Sequence, residues 1–111
     1  QYEEAFPKLQ QSNIDIVSLE CHNSHVPMEL IELIRGKKVM VGAIDVANNT
    51  IETPEEVADT LRKALQFVDA DKLYPCTNCG MAPLSREVAR GKLQALSAGA
   101  AIVRKELEAQ R

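Results

Sequence analysis

The sequence predicts an α/β fold in which parallel strands alternate with helices. Three observations predict it: short apolar runs rich in β-branched residues, helical spacing of apolar residues between them, and proline, threonine, serine and glycine at the junctions. The order is a helix followed by strand and helix three times over, the pattern of a parallel sheet with right-handed crossovers.

Residues 3–11 carry the end of a first helix. Residues 13–20, Asn-Ile-Asp-Ile-Val-Ser-Leu-Glu, read as a mostly buried strand. A helix should follow from Pro27, a residue suited to the first helical position, through Met28, Ile31 and Ile34 to a stop at Gly36. The second strand is 38–45, Lys-Val-Met-Val-Gly-Ala-Ile-Asp. Thr53-Pro54-Glu55-Glu56 is a capping box with proline in the first turn, and Val57, Leu61, Ala64, Leu65 and Val68 line one face of the helix it opens. The third strand is the shortest, Lys72-Leu73-Tyr74-Pro75. A last helix opens at Ser85, with Ala89, Leu93, Leu96, Ala100, Val103 and Leu107 as its apolar stripe. Three strands complete neither a doubly wound sheet nor an eight-stranded barrel, so the chain is expected to be a segment of such a fold or an unusually small one.

Composition narrows the function classes. The chain has 111 residues, 45% of them hydrophobic and 26% charged, as in an ordinary water-soluble domain. Its net charge of −3 includes no basic stripe that could neutralise a phosphate backbone, which argues against nucleic acid. Apolar runs such as Val39 to Ile44 fall far short of the ~20 residues of a membrane span, and Gln1-Tyr2-Glu3-Glu4 has no signal-peptide pattern. The expected setting is cytoplasmic, without membrane partners. Three cysteines in such a chain favour metal binding or reactivity over a disulfide framework.

The polar residues of interest fall at the carboxyl ends of the strands: Glu20 closes the first, Asp45 the second, and Cys79 lies just beyond the third. In βα-barrel enzymes that end carries the active site, although an acidic residue there can also simply cap the next helix. Cys76-Thr77-Asn78-Cys79 is a C-x-x-C, and Glu20-Cys21-His22 with His25 is a second cluster of zinc-ligand types. Cys21 reads rather as a small buried apolar residue, and His22 and His25 as solvated loop residues. A redox C-x-x-C normally starts a helix, whereas here Pro75 precedes the pair and Gly80-Met81-Ala82-Pro83 follows it. Three readings result: a catalytic zinc site, a non-catalytic zinc module using Cys76 and Cys79, and a redox pair.

Four segments, taken in order, resemble the end of cobalamin-independent methionine synthase. They are residues 14–20 with Cys21-His22-Asn23-Ser24, Val41-Gly-Ala-Ile-Asp-Val46, Glu52-Thr-Pro-Glu-Glu-Val57, and Leu73-Tyr-Pro-Cys-Thr-Asn-Cys-Gly80. The resemblance covers essentially the whole chain. It implies that residues 1–111 are the C-terminal segment of a zinc-dependent methyltransferase built on a (β/α)8 TIM-type barrel, incomplete in this chain. Glu20 and Cys79 match two of the family's zinc ligands. The other two, a His-x-Cys motif, would lie a few residues before Gln1. Asp45 matches a substrate-pocket position. The implied partners are homocysteine and a methyl donor, 5-methyltetrahydrofolate or another, and an isolated segment is expected to self-associate. Two departures stand out. Cys76-Thr77-Asn78-Cys79-Gly80 replaces the Asn-Pro-Asp-Cys-Gly of triglutamate-using members, as in the shorter single-domain relatives, and Ala47 occupies the position of the family's proton-donating histidine.

The chemistry explains such a site. Methylating a thiol requires the thiolate, yet a free thiol near pKa ~8.5 is mostly protonated at neutral pH. Zinc binds sulfur as thiolate and leaves one exchangeable position for it.

Overall fold

The structure, a computed structural model, describes residues 2–19, 31, 34 and 36–110. Glu20, Cys21, His22, His25 and most of the helix expected from Pro27 lie outside the described residues. The elements are α1 (Tyr2–Gln11), β1 (Ile16–Leu19), β2 (Lys38–Ile44), α2 (Pro54–Ala64), a 3-10 turn (Ala70–Lys72), β3 (Leu73–Thr77) and α3 (Arg86–Ala109). The three strands pair in parallel in the order β1-β2-β3, so the predicted α/β class and parallel sheet are found. No described helix is long and apolar enough to cross a membrane.

Local chemistry accounts for the boundaries. Thr53 and Glu56 form the capping box in both directions: the Glu56 N–H reaches Thr53 Oγ1 at 3.1 Å and the Thr53 N–H reaches Glu56 Oε1 at 3.2 Å. At α3 the Ser85 hydroxyl accepts the Val88 N–H at 3.2 Å. Gly36 has φ +87°, the left-handed conformation that a residue just past a helix end adopts.

Three boundaries differ from the sequence reading, each for lack of a partner or because of local bonding. β1 starts at Ile16 rather than residue 13, because the ladder with β2 begins at the pair Ile16–Lys38; before it the Asp15 carbonyl accepts the Lys38 N–H at 3.0 Å, and the Ser12 and Ile14 carbonyls are taken by the Lys37 ammonium. There the Ser12 hydroxyl takes over, donating to the Leu9 carbonyl at 2.6 Å and accepting the Ile14 N–H at 3.3 Å. α2 ends at Ala64, whose carbonyl collects the N–H groups of Phe67 and Val68 in a turn, so Leu65 and Val68 pack on the core without extending the helix. β3 runs two residues past Pro75, which the edge position of the strand permits.

One face of the sheet is covered. Val17 and Leu19 of β1, Val39 and Val41 of β2 and Leu73 of β3 pack with Phe6, Ile31, Ile34 and Ala64. A second cluster joins Ala43 and Ile44 to Val57, Ala58 and Leu61 of α2 and to Ala95 and Val103 of α3. Side chains of the opposite face lie in the rows Ile16–Lys38 and Ser18–Met40–Tyr74, and Ile16, Met40 and Tyr74 keep 46%, 36% and 41% of their surface in solvent.

α3 is rotated relative to its predicted stripe. Lys92, Ala95, Gly99 and Val103 are the buried residues, and Leu93 is exposed. Close approach explains the rotation: a Cβ on Gly99 would lie 2.5 Å from Val57 and 2.8 Å from the Pro54 carbonyl, so α3 sits on α2 through its smallest side chains. The predicted stripe holds at Val103, which is buried, and at Leu96, Ala100 and Leu107, which pack against the same cluster; it errs at Leu93 and omits Lys92, Ala95 and Gly99.

Candidate active site at the carboxyl ends of the strands

Parallel pairing brings Leu19, Ile44 and Thr77 to the same end of the sheet. Gly42 lets these ends draw together. A Cβ there would stand 2.9 Å from the Cα of Asn78 and 3.1 Å from the Leu19 carbonyl oxygen, so any larger residue would push both neighbours away. Just beyond Gly42 the register shifts, with Gly42 opposite Cys76 and Ile44 opposite Thr77. Asn78 then staples the strand ends: its N–H donates to the Ile44 carbonyl at 2.9 Å and its Oδ1 accepts the Val46 N–H at 3.2 Å. Sequence reasoning treated Asn78 as a spacer within C-x-x-C; its staple depends on a bulge that no local pattern announces.

Asp45 lies at this end, 3% exposed. Its Oδ1 accepts the Ala47 N–H at 2.8 Å and its Oδ2 accepts the side-chain amide of Asn48 at 2.7 Å. The carboxylate therefore organises its own loop, an Asx turn, and the cap of α2 is Thr53 instead. The Asp45 N–H donates to Glu52 Oε2 at 2.8 Å, and Glu52 Oε1 receives the ammonium of Lys92 at 2.9 Å. Lys92 also donates to the Thr50 carbonyl at 2.6 Å. Both partners of this ion pair are buried, with side chains 0% and 6% exposed. Lys92 was missed from the sequence because a single lysine on a helix reads as a solvated residue.

Cys79 is exposed with a free thiol, on the loop after β3. The Thr77 hydroxyl fixes that loop by donating to the Cys79 carbonyl at 2.8 Å. Cys76 lies within β3, half-buried, opposite Gly42. Burial pushes its thiol above the ordinary range, and a hydrogen bond with Ser18 opposes this in part. A raised thiol inside a strand is the reverse of the low-pKa, helix-capping cysteine of a redox pair. Of the residue types that bind zinc, the described part of the expected ligand set contains Cys79, whose free thiol suits the role; Glu20 lies outside the described residues. Among the described residues, no three His, Cys, Asp or Glu side chains gather as a metal site. Ala47 contributes only its backbone.

Comparisons with known proteins match this arrangement to one family. The model of the cobalamin-independent synthase catalytic domain matches residues 1–101. A methionine synthase of Saccharolobus islandicus (strain Y.G.57.14) is 35% identical over 111 residues, covering 97% of this chain and 33% of the relative. A 2-hydroxypropyl-CoM lyase of Xanthobacter autotrophicus (strain ATCC BAA-1158) is 34% identical over 108 residues, covering 91% of this chain and 29% of the relative. Among solved structures, a B12-independent methionine synthase from Shewanella sp. W3-18-1, in complex with selenomethionine, superposes with a TM-score of 0.94 at 86% identity, covering 97% of this chain and 32% of that one. The chain thus spans about a third of the length of the relatives it matches. With the family model matching residues 1–101 and the solved relative superposing over 97% of this chain's length, the chain belongs to the cobalamin-independent methionine synthase family through the catalytic domain.

Proposed function

We propose that the protein carrying this chain transfers a methyl group to the sulfur of homocysteine, making methionine, and that residues 1–111 are the C-terminal segment of its (β/α)8 barrel. The barrel reading is supported by the bare sheet face. Parallel sheets are normally covered on both faces, and Ile16, Met40 and Tyr74 here look onto solvent as barrel-lining residues would if their remaining neighbours were supplied. The same reading expects the 111-residue chain, prepared alone, to self-associate through this face and through its unpaired strand edges. A monodisperse monomer in sedimentation would count against it.

The observation that carries the catalytic reading is the convergence of the strand ends around Gly42, which sets Asp45 and the Cys79 loop side by side. Glu20 follows Leu19, the last residue of β1. β1 and β3 are separated by one strand, roughly 10 Å of backbone, a span that a glutamate and a cysteine side chain can close around one ion. Cys79 and Glu20 would hold zinc, together with a His-x-Cys pair earlier in the protein. When bound, zinc supplies the means of keeping the substrate sulfur as thiolate at neutral pH. Asp45 would shape the homocysteine pocket through the loop that its carboxylate organises, by accepting the Ala47 N–H and the side-chain amide of Asn48. The methyl donor would be 5-methyltetrahydrofolate or a related compound. Ala47 has no proton to give, so proton delivery falls to another group. The selenomethionine in the Shewanella structure is an analogue of the proposed product, which supports homocysteine as acceptor.

Replacing Cys79 by serine in the full-length protein tests the assignment, with Cys76→Ser as its partner. Zinc content by elemental analysis and methionine formation should both collapse in C79S, activity by at least about 100-fold, while C76S keeps its zinc. Retention of both properties in C79S would overturn the zinc assignment. Equal zinc loss in both variants would favour the non-catalytic C-x-x-C module.

A further inference from the structure

We propose that Lys92 and Glu52 are positioning residues for the proposed substrate pocket: the buried pair ties the 45–52 loop to α3 and so sets where Asp45 presents its carboxylate. Two observations carry this. First, the pair is charged where a fold that needed only stability would be served as well by two apolar side chains, since desolvating both ions costs about as much as their attraction returns. Second, each bond leads toward Asp45. Lys92, 0% exposed on α3, reaches 42 residues back to the Thr50 carbonyl and 40 residues back to Glu52 Oε1. The other oxygen of the same carboxylate takes the Asp45 N–H, closing the loop on itself across seven residues.

Among the described residues the loop has further hydrogen bonds. Val46 is bonded to Asn78, Thr50 N–H is bonded to Asn48 Oδ1, and the Asp45 carboxylate holds Ala47 and Asn48 from within. The ion pair is thus the described connection between this loop and α3 that involves charge. Gly91, next to Lys92, permits it: a Cβ there would lie 2.5 Å from Ile51 Cδ1, so glycine lets α3 pass close to the loop. Lys92 and Glu52 touch no substrate in this scheme; they act through Asp45.

This inference rests on the homocysteine reading for its kinetic consequence but has a readout independent of it. The test uses the full-length protein with the double variant Lys92→Met/Glu52→Gln, which leaves no lone buried charge and is therefore expected to fold. Lys92→Arg serves as the conservative control. The first readout is amide hydrogen exchange at Asp45 and Ala47, which should quicken at least about tenfold in the double variant, because the amide put in place of the Glu52 carboxylate can still accept the Asp45 N–H but Lys92 no longer holds the loop to α3. The second is the homocysteine KM, expected to rise about tenfold with a much smaller change in kcat and unchanged zinc content, and to be partly restored in K92R. Wild-type exchange at Asp45 and Ala47 in the double variant overturns the inference, whatever the activity. So does faster exchange with an unaltered KM in an active enzyme. A wild-type protein that makes no methionine would sink the functional reading instead, and the exchange data alone would then decide whether the pair positions the loop.

Discussion

Lys37 and Lys92 are both withdrawn from water, yet they sit at opposite ends of the sheet and are satisfied in different ways. Lys37 precedes β2 at its amino end, 8% exposed, and donates to the backbone carbonyls of Ser12, at 3.0 Å, and Ile14. It stitches the α1–β1 connection to the start of the central strand without a carboxylate among the partners described. Lys92, fully buried, has a carboxylate as well as a carbonyl. A lysine that keeps a sliver of contact with water can be held by carbonyl dipoles, whereas one with none needs a counter-charge. The comparison assigns different jobs to the two ends. The amino end ties the α1–β1 connection to the central strand, and the carboxyl end organises a loop around a buried aspartate.

The sharpest way to break this comparison is to remove each lysine in turn. Lys92→Met leaves the buried Glu52 carboxylate with the Asp45 N–H but without its counter-charge and should cost about 3–5 kcal/mol in denaturant unfolding, most of it recovered when Glu52→Gln is added. Gly99→Ala should come next, at about 1–3 kcal/mol, because its new methyl meets Val57 and the Pro54 carbonyl at the contact that seats α3 and thereby aims Lys92. Lys37→Met should cost only about 1 kcal/mol, since the carbonyls of Ser12 and Ile14 can turn to water. A Lys37→Met penalty as large as that of Lys92→Met would erase the distinction between the two ends.

The smallest effect is expected on the outer seam of the same two helices. There a half-buried Arg62 joins Glu106 at 2.6 Å and the exposed Glu55 and Asp59 at 2.7 Å and 2.5 Å. The Arg62 guanidinium holds the Glu106 carboxyl below its ordinary range. A lowered carboxylate stabilises the fold at pH values above its unfolded pKa and loses that contribution as pH falls through the lowered one. Glu106→Gln should therefore be slightly less stable than wild type at neutral pH and indistinguishable from it in acid; a difference that grew on acidification would reverse the sign. Cys76 behaves oppositely. Its raised thiol favours the fold below the ordinary thiol pKa and ceases to do so as pH climbs above it. Alkylation of Cys76 in the native protein should accordingly lag behind that of the exposed Cys79 at pH 8.

Much of the candidate site could be read from the chain. Asp45 and Cys79 were expected at strand ends and are found there, because a parallel sheet sends every strand out at the same edge. The exclusion of a helix at Cys76 also held, as β3 carries that residue. What escaped was the apparatus around them. Asn78 is an unremarkable residue until the bulge beyond Gly42 turns its amide toward Ile44 and Val46. The inward side of α3 was only partly legible: Leu96, Ala100, Val103 and Leu107 were expected to pack inward and do, whereas Lys92, Ala95 and Gly99 carry little hydrophobic signal and Leu93 faces water.

The amino-acid sequence by itself determined the features that depend on neighbours a few residues apart: the capping box of Thr53 and Glu56, the Ser85 cap, the left-handed Gly36 and the succession of strands and helices. Tertiary structure alone decided that Lys92 is buried with a counter-charge, that the inward stripe of α3 extends over Ala95 and Gly99 rather than Leu93, and which side of the sheet stays bare. The physical reason is range. A cap is satisfied within one turn, whereas the partners of Lys92 lie 40 and 42 residues away, and their meeting depends on how closely two helices and a strand pack.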